Sequence, residues 1–414
     1  MTMNNPYRVL SLDGGGSWAL IQVRALQELY GQNALGNEVL KRFDLVAANS
    51  GGSIVAATLA ANWPLSKTLG FFLSAATRTS IFVELPFLER LENCVLGLGP
   101  KYSAPAKLTG LMALLGADAS VTLDQWPARV AVNAGKPVDF LISGFDYDRQ
   151  RAAYFRSNTA SRAGSLEGSL APQLAEAVHA SSNAPVNYFD QPAVFNSPAF
   201  AGKRYWDGAM AGMNNPVLAG VIEALANQDP AAPPRPIEAL SLGTASVMLP
   251  LSAGPAQTPP LYQTPASAGL IHDLKETATT VLDDPPDAAS FIAHVALGQA
   301  LPKPGDALPV CGSVVRMSPL VQPLFDAAGN AQLPALAAPA SAPTMSAADV
   351  FSALVNLNMD AIEDEQVQLI QSLCDAWIAG KIYNQPIRTG VNYSCEIGHR
   401  WFADAKAAWL TRAP

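Results

Sequence analysis

The sequence predicts an α/β fold built on a parallel sheet, and three stretches predict it. Tyr7 to Leu12 is an apolar run of strand length that passes through Asp13-Gly14-Gly15-Gly16-Ser17 into a segment carrying Leu20, Ile21, Val23, Leu26 and Leu29 on helical spacing. Phe43 to Ala48 is a second such run, ending on Asn49-Ser50-Gly51-Gly52 before a small, apolar, helix-period segment from Ser53 to Ala61. Ile237 to Leu242 is a third buried strand, closed by Gly243-Thr244. A strand, a glycine turn and a helix, used twice, is the repeating unit of sheets whose strands run the same way.

Composition narrows the class of function. At 414 residues, with 49% apolar and 14% charged side chains, the chain buries a sizeable core. A net charge of −8 without clustered Lys and Arg argues against a nucleic-acid surface. Cys94, Cys311, Cys374 and Cys395 are scattered without C-x-x-C spacing, so neither a zinc site nor a disulfide framework is expected. The polar start, Met1 to Pro6, lacks the layout of a signal peptide, and no apolar run reaches the roughly 18 residues of a membrane span. The expectation is a soluble, cytoplasmic protein, with export left to a signal that these residues do not display.

Three consecutive glycines at a strand-to-helix junction leave backbone N–H groups unshielded beside the positive end of a helix. That is an anion cradle for a phosphate or for the oxyanion of acyl transfer. The dinucleotide fingerprint G-x-G-x-x-G is absent, and so is the Lys-Ser/Thr that closes a phosphate loop. At the second junction Ser50 stands at the apex among small residues, as a nucleophile elbow requires, although Ala48 replaces the first glycine of G-x-S-x-G. On these residues alone Ser50 is either a nucleophile or the cap of the following helix.

A short helix, Asn37 to Lys41, precedes the elbow strand, and Asn62-Trp63-Pro64 closes the elbow helix. Leu65 to Cys94 is apolar and mostly helical, suited to a lid or acyl-chain pocket or, more commonly for such stripes, to core. Leu108 to Leu115 continues helical. Val130 to Asn133, Val138 to Phe145 and Ala152 to Arg156 read as consecutive strands, a local antiparallel addition. Leu174 to Ser182 is a helix stopped near Asn183-Ala184-Pro185, Tyr205-Trp206-Asp207-Gly208-Ala209 a strand end, and Asn214-Asn215-Pro216 opens a helix. Pro, Ala and Gly dominate 229–265 and 301–343, which read as loops around a helix at Ser290 to Leu297 and a strand at Cys311 to Met317. Ser346 caps a helix from Ala347 to Leu357, and Glu365 to Gly380 forms another. Tyr393, Trp401, Phe402 and Trp409 make an aromatic tail.

A serine nucleophile needs a base. The four histidines, His179, His272, His294 and His399, have no motif around them, whereas Asp207 precedes a glycine at a strand end on the rim where the elbow emerges. A Ser–Asp dyad would do without histidine, provided the carboxylate is held close to the hydroxyl and titrates in a usable range.

Asp13-Gly14-Gly15-Gly16, Asn49-Ser50-Gly51-Gly52 and Asp207-Gly208-Ala209, in this order, resemble the patatin-like phospholipase family, as do Ala180 to Pro185 and Leu240 to Thr244. The resemblance covers roughly Tyr7 to Gly380 and is poor between Trp63 and Gln125. It implies a three-layer α/β/α fold with a mostly parallel sheet and cofactor-free hydrolysis of acyl esters. Ser50 would be the nucleophile, Asp207 the base, and the N–H groups of Gly14, Gly15 and Gly16 the oxyanion hole, with Asp13, Gly52 and Gly208 in support and no metal. The family usually has Arg or Lys two residues after the third glycine; Trp18 stands there.

The organisation expected is one hydrolase domain over 1–383, with a helical insertion at 64–125, and an aromatic tail over 384–414. The function expected is phospholipase A or lysophospholipase activity, with transient contact to a membrane surface and no nucleic-acid partner; the oligomeric state is left open. The rivals are a soluble carboxylesterase or thioesterase, an inactive scaffold that binds lipid or protein, and an effector silent until a partner or ligand binds.

Overall fold

The computed structural model describes residues 5–87, 99–158, 171–247, 285–299, 312–325, 331–388 and 396–413. Cys94, Cys311, Cys395, His272 and Tyr393, and part of the insertion and of both Pro-rich stretches, lie outside the described residues.

In chain order the elements are β1 (Tyr7–Leu12), α1 (Leu20–Tyr30), α2 (Gly36–Leu40), β2 (Leu45–Ala48), α3 (Ser50–Ala60), α4 (Leu65–Leu73), α5 (Ala75–Ile81), α6 (Ala104–Leu115) and α7 (Trp126–Ala134). They continue with β3 (Asp139–Asp146), β4 (Arg151–Arg156), α8 (Leu174–Ser181), β5 (Ala193–Val194), β6 (Arg204–Asp207), α9 (Val217–Ala226), β7 (Ile237–Leu242), β8 (Ser246–Val247) and α10 (Pro285–Ala296). β9 (Val314–Met317), β10 (Leu320–Val321), α11 (Ala347–Val355), α12 (Asp364–Ile378) and α13 (Phe402–Arg412) follow.

The main sheet has eight strands in the order β5-β6-β3-β2-β1-β7-β9, with β4 also on β3. β3, β2, β1, β7 and β9 run parallel, while β4, β6 and β5 are antiparallel additions at one edge. Side chains alternate across it with the period of two that strands impose. Leu10, Leu12, Val46, Ala48, Phe140, Ile142, Leu240 and Leu242 join the large core under α1, α3, α8 and α12. Val9, Leu45, Ala47, Leu141 and Ala239 pack on the other face against α9 and α10. Helices on both faces of a mostly parallel sheet make the three-layer α/β/α fold that was expected.

Two local expectations are revised. The strand expected at Val130 to Asn133 is the end of helix α7, which starts with Pro127 in its first turn and stops on Gly135 in the left-handed conformation (φ 77°). Gly135 is thus a helix terminator and not a hairpin turn. The elbow helix begins at Ser50 itself, three residues before the predicted Ser53. The described part of the 64–125 insertion contributes Phe71, Phe72, Ile81, Leu108, Leu111 and Leu115 to the main core. The aromatic tail is packed too: the Trp409 ring stacks on Phe43, two residues before β2, with centroids 5.7 Å apart and planes 8° apart. Among the described residues no helix is long and apolar enough to cross a membrane.

Candidate active site

Ser50 sits where β2 meets α3, with φ +47°, a conformation that costs a β-carbon-bearing residue on the order of 1–2 kcal/mol. Packing holds it there. Its N–H donates to Ser181 Oγ at 2.9 Å. A Cβ on Gly51 would meet the Gly16 carbonyl at 2.6 Å, and one on Gly52 would strike the carbonyls of Leu12 and Asp13, so only glycines let the elbow lie against the end of β1. Asn49, the residue before the helix, makes no side-chain cap, and neither does Ser50. The reading of Ser50 as a helix cap is therefore set aside.

Asp207 arrives by a different route from the one its strand-end position suggested. β6 runs antiparallel to β3, with Gly144 opposite Asp207, while the parallel register sets Ala48 opposite Ile142. β3 runs four residues beyond Ile142, and the incoming β6 sets its last residue opposite Gly144, two residues past the end of β2 and level with the elbow. The Ser50 hydroxyl and the Asp207 carboxylate line one cavity, and the Ser50 side chain favours the charged form of that carboxylate. Asn49 Nδ2 and the Ala209 N–H donate to Asp207 Oδ1, at 3.0 and 2.9 Å. Ser143 Oγ donates to Asn49 Oδ1 at 2.6 Å, which turns the amide nitrogen toward Asp207. Asn49 crosses directly over Gly208, where any Cβ would collide with its Oδ1. Asp207 is buried; desolvation pushes its carboxyl above the ordinary aspartate range, opposed by the Ala209 N–H, the Ser50 hydroxyl, the Asn49 amide and the charge of Lys107.

The glycine loop is divided. The Gly14 N–H donates to the Asn214 carbonyl at 2.8 Å, so the oxyanion role expected of it is corrected: that donor is already engaged. Gly16 (φ +55°) opens a one-turn 3-10 helix and lines the same cavity as Ser50, Gly51 and Asp207. Gly14 and Gly15 line a neighbouring cavity of about 120 Å³ on the other side of the loop. The expected support from Asp13 takes a definite form: its Oδ2 is 2.6 Å from Arg316 Nη2, and its carbonyl accepts from Gln22 Nε2 at 2.8 Å. Trp18 offers no cation, but β9 supplies one from the other end of the chain.

The Ser50 cavity, about 50 Å³, is walled by Phe71, Phe72, Ile81, Phe82 and Phe189, with Lys107 and Asp207 among its polar groups. Its walls are apolar and its space is narrow. Sequence reasoning passed over Asn49, Ser143, Ser181, Lys107 and Arg316. Asn49 and Ser181 lay inside quoted motifs. Ser143, Lys107 and Arg316 sit on remote elements with no local signal.

The family model described as patatin-like phospholipase matches residues 10–221, just over half of the chain. No curated protein sequence matches. Among solved structures, VipD from Legionella pneumophila aligns at 11% identity over 90% of this chain and 67% of its own, with a TM-score of 0.35. Human GIVD cytosolic phospholipase A2, crystallised with methyl gamma-linolenyl fluorophosphonate, aligns at 13% identity over 90% of this chain and 57% of its own, TM-score 0.36. The type III effector protein ExoU aligns at 12% identity over 90% and 53%, TM-score 0.27. The chain thus spans about two thirds of VipD and little more than half of the other two. On the match of its first half, the chain belongs to the patatin-like phospholipase family.

Proposed function

We propose that this protein is a serine hydrolase of lipid acyl esters, of phospholipase A or lysophospholipase type, acting through Ser50 and Asp207. The observation that carries the reading is a strained Ser50 lining the same cavity as a buried carboxylate, Asp207, whose charged form the Ser50 side chain favours. Burial brings the basicity of Asp207 closer to that needed to take an alcohol proton.

Ser50 Oγ bonds to the ester carbonyl carbon as its proton passes to Asp207. The carbonyl oxygen becomes the oxyanion, facing the Gly16 and Gly51 N–H groups at the start of two helical turns, where backbone donors lack intrahelical partners. Collapse expels the alcohol, which leaves with the proton held by Asp207. Water then attacks the acyl-serine, Asp207 takes the water proton, and the fatty acid departs as Ser50 recovers its own. One oxyanion donor is worth about a hundredfold to a thousandfold in rate.

A second reading, a carboxylesterase for short acyl chains, is favoured by the narrowness of the cavity, about 50 Å³. Fatty-acid release from mixed phospholipid vesicles, set beside a chain-length series of p-nitrophenyl esters, separates the two. Wild type is expected to release fatty acid while Ser50→Ala and Asp207→Asn do not. Undiminished release by either variant would sink the dyad.

A further inference from the structure

We infer that Lys107 is a positioning residue for this reaction: its ammonium, sealed into the wall of the Ser50 cavity, is the fixed counter-charge that holds Asp207 as an open carboxylate. The inference rests on the acyl hydrolase reading and adds a third group to it.

Lys107 projects from α6 and is fully buried. Its Nζ donates to the His179 carbonyl at 3.0 Å and to Ser182 Oγ at 3.4 Å, and it lies 4.0 Å from the centre of the Phe189 ring. These partners use the directions an ammonium has to offer, and all are neutral. Among the described residues no carboxylate lies within ion-pair distance of it. The other charges on the cavity wall are matched locally: Arg78 pairs with Asp364, and Asp360 takes the Tyr102 hydroxyl at 2.6 Å and Lys101 Nζ at 3.2 Å. Lys107 and Asp207 are left as one buried cation and one buried anion, each held by neutral dipoles, on the walls of one apolar cavity.

In such surroundings charge interacts across distances that water would screen. Burial pulls the Lys107 amine well below the usual lysine value, and the charge of Asp207 opposes that shift. The effect is reciprocal, since Lys107 is among the influences drawing Asp207 back down. Around the cavity that Lys107 lines stand Asp207 from the end of β6, Arg78 from α5, Tyr188 and Asp360, while His179 of α8 gives its carbonyl to the ammonium. Burial and then the Lys107 charge push His179 well below the usual imidazole range, so it carries no competing charge at neutral pH. When Ser50 gives its proton to Asp207, negative charge leaves the carboxylate and appears on the substrate oxygen in the same cavity. The ammonium therefore has a counter-charge before and after transfer.

The bland role for Lys107 is mechanical, a cap on the last turn of α8 through the His179 carbonyl. Lys107→Gln separates the two, because glutamine keeps a donor for that carbonyl and loses the charge. The experiment is the pH dependence of Ser50 labelling by a fluorophosphonate and of ester hydrolysis, for wild type, Lys107→Gln, Lys107→Met and Ser182→Ala. The expected result for Lys107→Gln is an acid limb moved up by about one pH unit. Its kcat should fall about tenfold with little change in KM, and the alkaline limb due to Lys107 should vanish. Ser182→Ala, which removes one acceptor from the ammonium and leaves the rest of the wall intact, should move the alkaline limb to lower pH. Lys107→Gln and Ser182→Ala profiles that superimpose on wild type, with only Lys107→Met losing thermal stability, would overturn the inference and leave the cap. No labelling of wild type at any pH overturns the hydrolase reading and this inference with it.

Discussion

Arg316 Nη2 lies 2.6 Å from Asp13 Oδ2, with the two side chains only 4% and 3% exposed. The guanidinium also donates to Ser241 Oγ at 2.8 Å and to Gln385 Oε1 at 2.9 Å, so it ties β9, β7 and the segment after α12 to the first residue of the glycine loop. The charge at the base of the loop is thus matched from 303 positions away in sequence (316 minus 13). Breaking one side of a buried pair costs about 3–5 kcal/mol, because the other charge stays desolvated and alone. Arg316→Met is expected to lose that much in urea unfolding and most of its Ser50 labelling. Arg316→Met combined with Asp13→Asn should recover stability, since no charge is then stranded, without recovering labelling.

The elbow stores strain at Ser50, and the strain has a measurable consequence. Glycine adopts φ +47° freely, while alanine keeps the Cβ that opposes it. Ser50→Gly is expected to be more stable than Ser50→Ala by about 1 kcal/mol, read as a shift in denaturation midpoint. Both variants should be inactive.

Asp207 makes a pH-dependent prediction whose sign follows from its raised folded value. A carboxyl that holds its proton more tightly when folded favours folding below its unfolded value, and this contribution is lost as the pH rises through the folded one. The melting temperature of Asp207→Asn minus that of wild type should therefore grow as pH rises from about 4 and then level off. A difference that shrinks over this range would contradict a carboxyl raised by burial.

Gly16→Ala tests the loop without touching a charge. Gly16 has φ +55°, and a Cβ there would run into the Met359 carbonyl. The carbonyl is backbone, so the loop must shift instead, carrying the Gly16 N–H away from the cavity. The expected loss in kcat is about a hundredfold, with KM little changed.

The aromatic wall is the proposed place of the acyl chain. Phe82 lines the cavity, packs on Tyr102 with ring centroids 5.2 Å apart, and is only partly buried. Phe82→Ala should move the optimum of a p-nitrophenyl ester series toward longer chains, with a stability cost below the 3–5 kcal/mol or so of a fully buried phenylalanine. An unchanged optimum would place the acyl chain elsewhere.

The sequence by itself determined the parts of this protein whose physics is local. Glycine turns between a strand and a helix are legible because backbone conformation is a property of a few consecutive residues, and so Asp13 to Gly16, Asn49 to Gly52 and Asp207-Gly208 were all found. Strand and helix periodicity likewise placed β1 and β7 to the residue. Where two local signals compete the reading failed: Val130 and Val132 suggested a strand, but Gly135 terminates a helix. Tertiary structure alone decided which distant groups meet. The antiparallel register of β6 on β3 brings Asp207 to the cavity of Ser50, β9 carries Arg316 to Asp13, and α6 buries Lys107 in the wall of that cavity. Long-range pairing of charges leaves no pattern in neighbouring residues, because the field of a buried side chain depends on what the fold places around it.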